Sequence, residues 1–150
     1  MIYIDNLIKN CLNAKLATPV QEIEVTNVSQ LDGILKAVYV FEQVVGDPRE
    51  TYQALASYKA TKDRACPRLN KPSKVMYVGS SSTGVKSRIE QHIGKGHRST
   101  SALHLSHWFK GDYKITVKQY DVSNEILQIL EDAIAYELEP AFGKRGGNNK

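Results

Sequence analysis

The stretch from Val75 to His92 constrains the fold of this chain more than any other. Val75-Met76-Tyr77-Val78 is a short apolar run that stops at Gly79 and crosses Ser80-Ser81-Ser82-Thr83-Gly84. It then enters a segment in which Val85, Ile89 and Ile93 recur every four residues. This pattern reads as a strand, a turn and a helix. Arg88 and His92, also four apart, form the helical row beside the buried one. A strand-end tyrosine, an arginine and a histidine therefore converge near one edge of the core.

The elements on either side can be read in the same way. The chain's 150 residues, 41% of them hydrophobic, supply one core and one domain. Leu7, Ile8, Leu12 and Leu16 mark an amphipathic helix that closes before Thr18-Pro19. Gln21 to Val28 alternates as a half-exposed edge strand, with Ile23 and Val25 on one face. After a turn at Leu31-Asp32-Gly33, the run Ile34 to Glu42 is dense enough in β-branched and aromatic residues for a buried strand, with Tyr39 in its middle. On residue type alone, Tyr39 is a core tyrosine. Ser99-Thr100-Ser101 predicts a cap for a short helix from Ala102 to Phe109, and Lys114 to Tyr120 alternates as another strand. Ser123 caps a long helix that runs to Glu139, before Pro140. Its predicted apolar stripe is Ile126, Leu127, Leu130, Ala133, Ile134 and Leu138. Glu131 borders that stripe, and a carboxylate leaving water needs a cation, a metal or hydrogen-bond donors. Glu137 falls inside the stripe but in the last turn, where it reaches solvent.

Lysine and arginine outnumber aspartate and glutamate by 20 to 16, a balance that permits a polyanionic partner without requiring one. The segment from Gly46 to Lys74 reads as an insertion: a turn, helix-forming residues from Glu50 to about Lys62, and breaks at Pro67 and Pro72. Its cations Lys59, Lys62, Arg64, Arg68, Lys71 and Lys74 face a lone Asp63, and the segment is either a phosphate-tracking surface or a solvated loop. Lys86, Lys95 and, in a flexible basic tail, Lys144 and Arg145 complete the candidate nucleic-acid-binding set. Cys11 and Cys66 have no paired spacing, which argues against a disulfide framework or a cysteine zinc site and fits a reduced compartment. His104 and His107 lack a third ligand at a fitting spacing, so they read as surface or core histidines. No signal peptide and no membrane-length apolar run are legible, and the expected location is cytoplasmic, away from membranes.

Tyr39, Tyr77, Arg88, His92 and Glu131 together suit metal-assisted hydrolysis of a phosphodiester. That step needs a cation to hold the phosphorane, a divalent ion to neutralise the leaving oxygen, and a group to take the proton of the attacking water. One carboxylate is few ligands for Mg²⁺, but this ion keeps most of its waters and borrows phosphate oxygens.

These residues resemble the GIY-YIG nuclease family. Ala37-Val38-Tyr39 is similar to that family's first motif, Tyr77-Val78-Gly79 to its second, and Arg88 with His92 to its helix pair. Glu131 resembles its metal-binding glutamate, with Pro140 and Phe142 following at the usual distance. The resemblance implies an α+β fold, a small three-stranded antiparallel sheet flanked by helices. Its core would span about residues 34–142, with an N-terminal helix and strand extension over 1–33, a basic insertion over 46–74 and a tail over 143–150. It also implies a DNA endonuclease with Mg²⁺ or Mn²⁺ on Glu131 and Arg88 stabilising the phosphorane. Tyr39 or His92 would handle the water's proton, and Tyr77 would position water or phosphate. Cutting both strands would call for a homodimer, two visits or a targeting partner. Three departures stand out. Ala37 replaces the family's first glycine, and the gap between the tyrosines is long. Gly143 occupies the position of the family's asparagine, a role left to Asn148 or Asn149 or to none. The competing expectation is a nucleic-acid-binding module without catalysis.

Overall fold

The branched and aromatic residues of Ala37–Gln43 make this strand, β2, the best buried in the protein, and the rest of the sheet assembles on it. The computed structural model describes residues 1–145. Helix α1 spans Ile2–Leu16, strand β1 Gln21–Glu24, helix α2 Pro48–Ala60, strand β3 Val75–Ser81 and helix α3 Val85–Glu90. Strand β4 spans Tyr113–Gln119 and helix α4 Asn124–Leu138. The fold is α+β, with all strand pairs antiparallel.

The sheet has four strands in the order β1-β4-β2-β3, which corrects the expected three. Strand β1 is part of the sheet because β4 has a second edge to satisfy. Ile23 lies opposite Val117, and the Gln21 side-chain amide donates to that of Gln119 at 2.6 Å. One face of the sheet packs Tyr39, Phe41, Ile115 and Val117 against Val85, Ile89, Leu55 and Phe142. The other packs Val38 and Val78 against Leu127, Leu130 and Ala135 of α4, with Ala14 of α1 beside them. The buried stripe of α4 is narrower than its apolar composition predicts. Ala133 and Leu138 face outward, while Glu131 is buried with Leu127, Leu130 and Ala135. Ser123 caps this helix as expected, its hydroxyl accepting from the Ile126 amide.

The predicted helix from Ala102 to Phe109 does not form. Only a single tight turn, Leu105–His107, is present. Side-chain bonds to the backbone replace the helical ladder. His104 takes a left-handed conformation (φ +50°) and donates from Nε2 to the carbonyls of Thr100 at 2.8 Å and Ala65 at 3.1 Å, while Trp108 donates to the carbonyl of Leu103 at 2.6 Å. The basic segment 46–74 is also more built-in than a solvated loop. Asp47 caps α2 by accepting from the Arg49 amide, Leu55 is fully buried, and Lys59 donates to the Pro67 carbonyl. Among the described residues, no helix is long and apolar enough to cross a membrane.

Candidate active site

Sheet register decides which side chains can meet. Tyr39 pairs with Gly79 and Phe41 with Tyr77 across β2 and β3. Residues two apart share a face, so Tyr39 and Tyr77 sit diagonally on the same side with Gly79 between them. Their rings lie nearly parallel, 6.3 Å apart between centroids. A methyl group at Gly79 would fall 2.5 Å from the Tyr39 hydroxyl oxygen and 2.9 Å from the Tyr77 ring. The glycine is required for room. Gly79→Ala is expected to cost about 1–3 kcal/mol by overpacking, read as a fall of several degrees in melting temperature. An unchanged melting temperature would show that the two rings have slack.

The helix supplies the next groups. After α3 the chain widens into a π-helical turn over Gln91–Lys95, and His92 sits fully buried in it. Its Nδ1 accepts from the Leu103 amide at 3.0 Å, so the ring's proton is on Nε2, and Nε2 lies 3.0 Å from the Tyr39 hydroxyl. His92 therefore donates to the oxygen of Tyr39, which leaves the phenol's own proton free to point elsewhere. His92 also packs against Tyr77, with centroids 4.5 Å apart. Burial holds the imidazole well below the usual histidine range, and Arg88 and then His104 push in the same direction. His104 is lowered too, again chiefly by burial.

The sign of the resulting pH effect follows directly. As pH falls below about 6.5, a histidine in the unfolded chain takes up a proton while the folded one stays neutral. Stability is therefore lost on acidification, at up to about 1.4 kcal/mol per pH unit for each such histidine. Melting curves between pH 7 and 5 are expected to show this slope, and His92→Gln is expected to flatten it. An equal slope in the variant would assign the effect to His104 alone.

Tyr39, Tyr77, Arg88 and Glu131 line one cleft of about 250 Å³, together with Gly79, Ser80, Gln128 and Lys144. Strand β3 is the outer strand of the sheet, α3 approaches from one face and α4 from the other, so the cleft lies along its edge. Arg88 is held by two bonds, one to the Gln91 side-chain oxygen at 2.9 Å and one to the Ser101 carbonyl at 3.0 Å. Burial raises the phenols of Tyr39 and Tyr77 above their ordinary value. For Tyr39, neighbouring Tyr77 adds to the rise, and Arg88 opposes it at both rings. Glu131 is only 7% exposed, and its carboxylate accepts from the Gln128 amide at 2.7 Å. No ion pair to Glu131 is present among the described residues, nor is any group of three or more acidic, histidine or cysteine ligands. A buried carboxylate facing a polar cleft with one amide partner suits a divalent ion that brings its own waters.

Two contributors, Gln128 and Asn70, were not legible as site residues. Gln128 lies three residues before Glu131 on the same helix face, a spacing that could have found it. Lys144, a candidate nucleic-acid contact expected on a flexible tail, lines the cleft itself, and the chain before it is fixed. The amides of Ala141 and Phe142 donate to the carbonyls of Val75 and Met76, and that of Gly143 to Arg68. Gly143 is buried at φ +86°, and a side chain there would meet the Tyr77 ring at 2.6 Å, so an asparagine does not fit. Asn70 comes from the 46–74 segment. Its side-chain amide donates to the carbonyls of Pro140 at 3.0 Å and Gly143 at 2.9 Å. Asn148 and Asn149 lie outside the described residues.

Lys71, Lys86 and Lys95 are paired with Glu139, Asp32 and Glu90 but remain open to solvent, and Arg64 donates to the Gly96 carbonyl. Lys62, Arg68, Lys74, Lys144 and Arg145 are exposed as well. Comparison with known proteins gives no match: no family model, no curated protein and no solved structure corresponds to this chain.

Proposed function

We propose that the chain is a metal-dependent endonuclease of the GIY-YIG type that hydrolyses phosphodiester bonds in DNA. The observation that carries this reading is the convergence of Tyr39, Tyr77, Arg88 and Glu131 on one cleft from two strands and two helices. Arg88, pre-oriented by its two bonds, holds the phosphate and the charge that develops on it. Lys144 adds a second cation on the same wall. Glu131 holds Mg²⁺ or Mn²⁺, which when bound would stabilise charge on the leaving oxygen. Tyr39 takes the proton of the attacking water. His92 does not compete for this role, because both of its nitrogens are engaged and it is walled off behind the phenol. Instead it donates to the Tyr39 oxygen, which favours the anionic form that burial disfavours. Tyr77, parallel to Tyr39 at the cleft wall, positions water or phosphate. The exposed Lys62, Arg68, Lys74 and Arg145 serve the flanking backbone.

The test is incubation of supercoiled plasmid with the protein and Mg²⁺ or Mn²⁺. Nicked or linear product that disappears with EDTA is the expected result. Intact plasmid together with a salt-sensitive gel shift would replace this reading by a nucleic-acid-binding module, and intact plasmid without a shift would remove both.

A further inference from the structure

A second cavity, of about 280 Å³, opens where β2 ends. Gln43 lies four residues beyond Tyr39, about 13 Å along the strand, and the two cavities share no lining residue. Gln43 is the most buried of the lining side chains, 3% exposed. Its Nε2 donates to the Val45 carbonyl at 2.9 Å, while its Oε1 is buried without a donor. A buried acceptor without a donor is destabilising, so one found at the inner end of a cavity calls for a donor from outside. Asp47 uses one carboxylate oxygen to cap α2, and neither it nor Glu50 is in an ion pair among the described residues. Lys110 on the same wall pairs with neither, so two carboxylates face one ammonium and the lining is net negative in a chain of net charge +4. Trp108 and Phe109 supply an aromatic wall, with ring centroids 5.6 Å apart, and the indole is fixed by its bond to the Leu103 carbonyl. Two glycines keep this arrangement clear. A methyl group at Gly46 would fall 2.7 Å from the Gln43 amide nitrogen, and one at Gly111 would fall 2.8 Å from the Phe109 ring.

We propose that this cavity binds a guanidinium group, the head of an arginine side chain or of a small guanidino compound. Each feature of the lining answers one property of that group. Its charge meets Asp47 and Glu50, its several N–H donors include one for Gln43 Oε1, and its weakly hydrated plane stacks on an aromatic face. An ammonium shares the charge but is more strongly hydrated and has no plane to stack. A ligand that carries phosphate is repelled by the same carboxylates, so the cavity is not an extension of a nucleic-acid surface. The site does not depend on the chemistry assigned to the cleft of Tyr39.

Trp108 is the chain's single tryptophan, so its fluorescence reports on this cavity directly. The test is titration of the full chain with butylguanidinium and, separately, with butylammonium at constant ionic strength. Butylguanidinium is expected to change the emission saturably with a Kd on the order of 1 mM, as suits a ligand of so few atoms. Butylammonium is expected to bind roughly fivefold more weakly or worse. Asp47→Asn combined with Glu50→Gln is expected to weaken butylguanidinium by about tenfold. That pair leaves the fold in place, because both side chains are exposed and asparagine caps a helix as well as aspartate does. Gln43→Met, which removes the acceptor and keeps the length, is expected to weaken binding severalfold; should it fail to fold, the exposed pair decides. The absence of a saturable change in the native chain overturns the proposal. Equal affinity for the two cations, or native affinity in either variant, overturns it as well. A blocked Gly-Arg-Gly peptide separates the sources: binding tighter than that of butylguanidinium assigns an arginine of a partner polypeptide, and weaker binding assigns a free guanidino compound.

Discussion

Glu131→Gln is expected to reduce plasmid cleavage by roughly 10²–10³-fold or more, the range over which a single preorganised electrostatic partner acts. Glutamine has the shape of glutamate and can still accept from the Gln128 amide, so the buried position stays filled and hydrogen-bonded. Only the charge is lost. Melting temperature in EDTA should therefore hold or rise, because a buried carboxylate has been removed. Mn²⁺ supplies an independent readout: an ion that binds only the folded state raises the melting temperature of the native chain, and this rise should vanish in the variant. Cleavage within a few-fold of native would sink Glu131 as the metal ligand. A full loss of cleavage with the Mn²⁺ stabilisation intact would move the metal elsewhere and leave Glu131 with another role.

Tyr39→Phe is expected to cost roughly 10²–10⁴ in cleavage rate, the contribution of a positioned proton acceptor. It also leaves the Nε2 proton of His92 buried without its 3.0 Å partner, which should lower stability by about 1–3 kcal/mol. The pH profile separates the two candidate bases. Burial pushes the Tyr39 phenol above its ordinary value, so between pH 7 and 9 its ionised fraction grows about tenfold per unit and the rate should climb with it. A histidine base held below its usual range would already be neutral at pH 7, and the rate would be flat across that interval. A flat profile with substantial activity in Tyr39→Phe would overturn the assignment of the phenol.

The cleft was largely legible in the sequence because its residues sit at periodic positions on regular elements. Tyr39 and Tyr77 are on one face through strand alternation, Arg88 and His92 on neighbouring helical turns, and Glu131 at a stripe border. What local pattern could not give was the register that sets Gly79 opposite Tyr39, since pairing depends on residues some forty positions apart. The same limit hid the fourth strand's place beside β4. It also produced the false helix at Ala102–Phe109, where a good cap and good spacing were overridden by the bonds of His104 and Trp108 to distant or backward carbonyls. The proton on His92 was likewise out of reach, because it is fixed by the amide of Leu103, eleven residues away in a loop.

The clamp made by Asn70 bears on how this molecule can change. The segment between the two tyrosine strands is not a detachable cassette. Asn70 ties its amide and side chain to Pro140, Ala141 and Gly143, Arg68 receives the amide of Gly143, and Gly143 leans on the ring of Tyr77. Shortening or exchanging residues 46–74 would therefore loosen the wall of the cleft as well as alter the outer surface. Any version of this chain that acquires a new target preference through that segment has to keep an asparagine, or an equal clasp, at its far end.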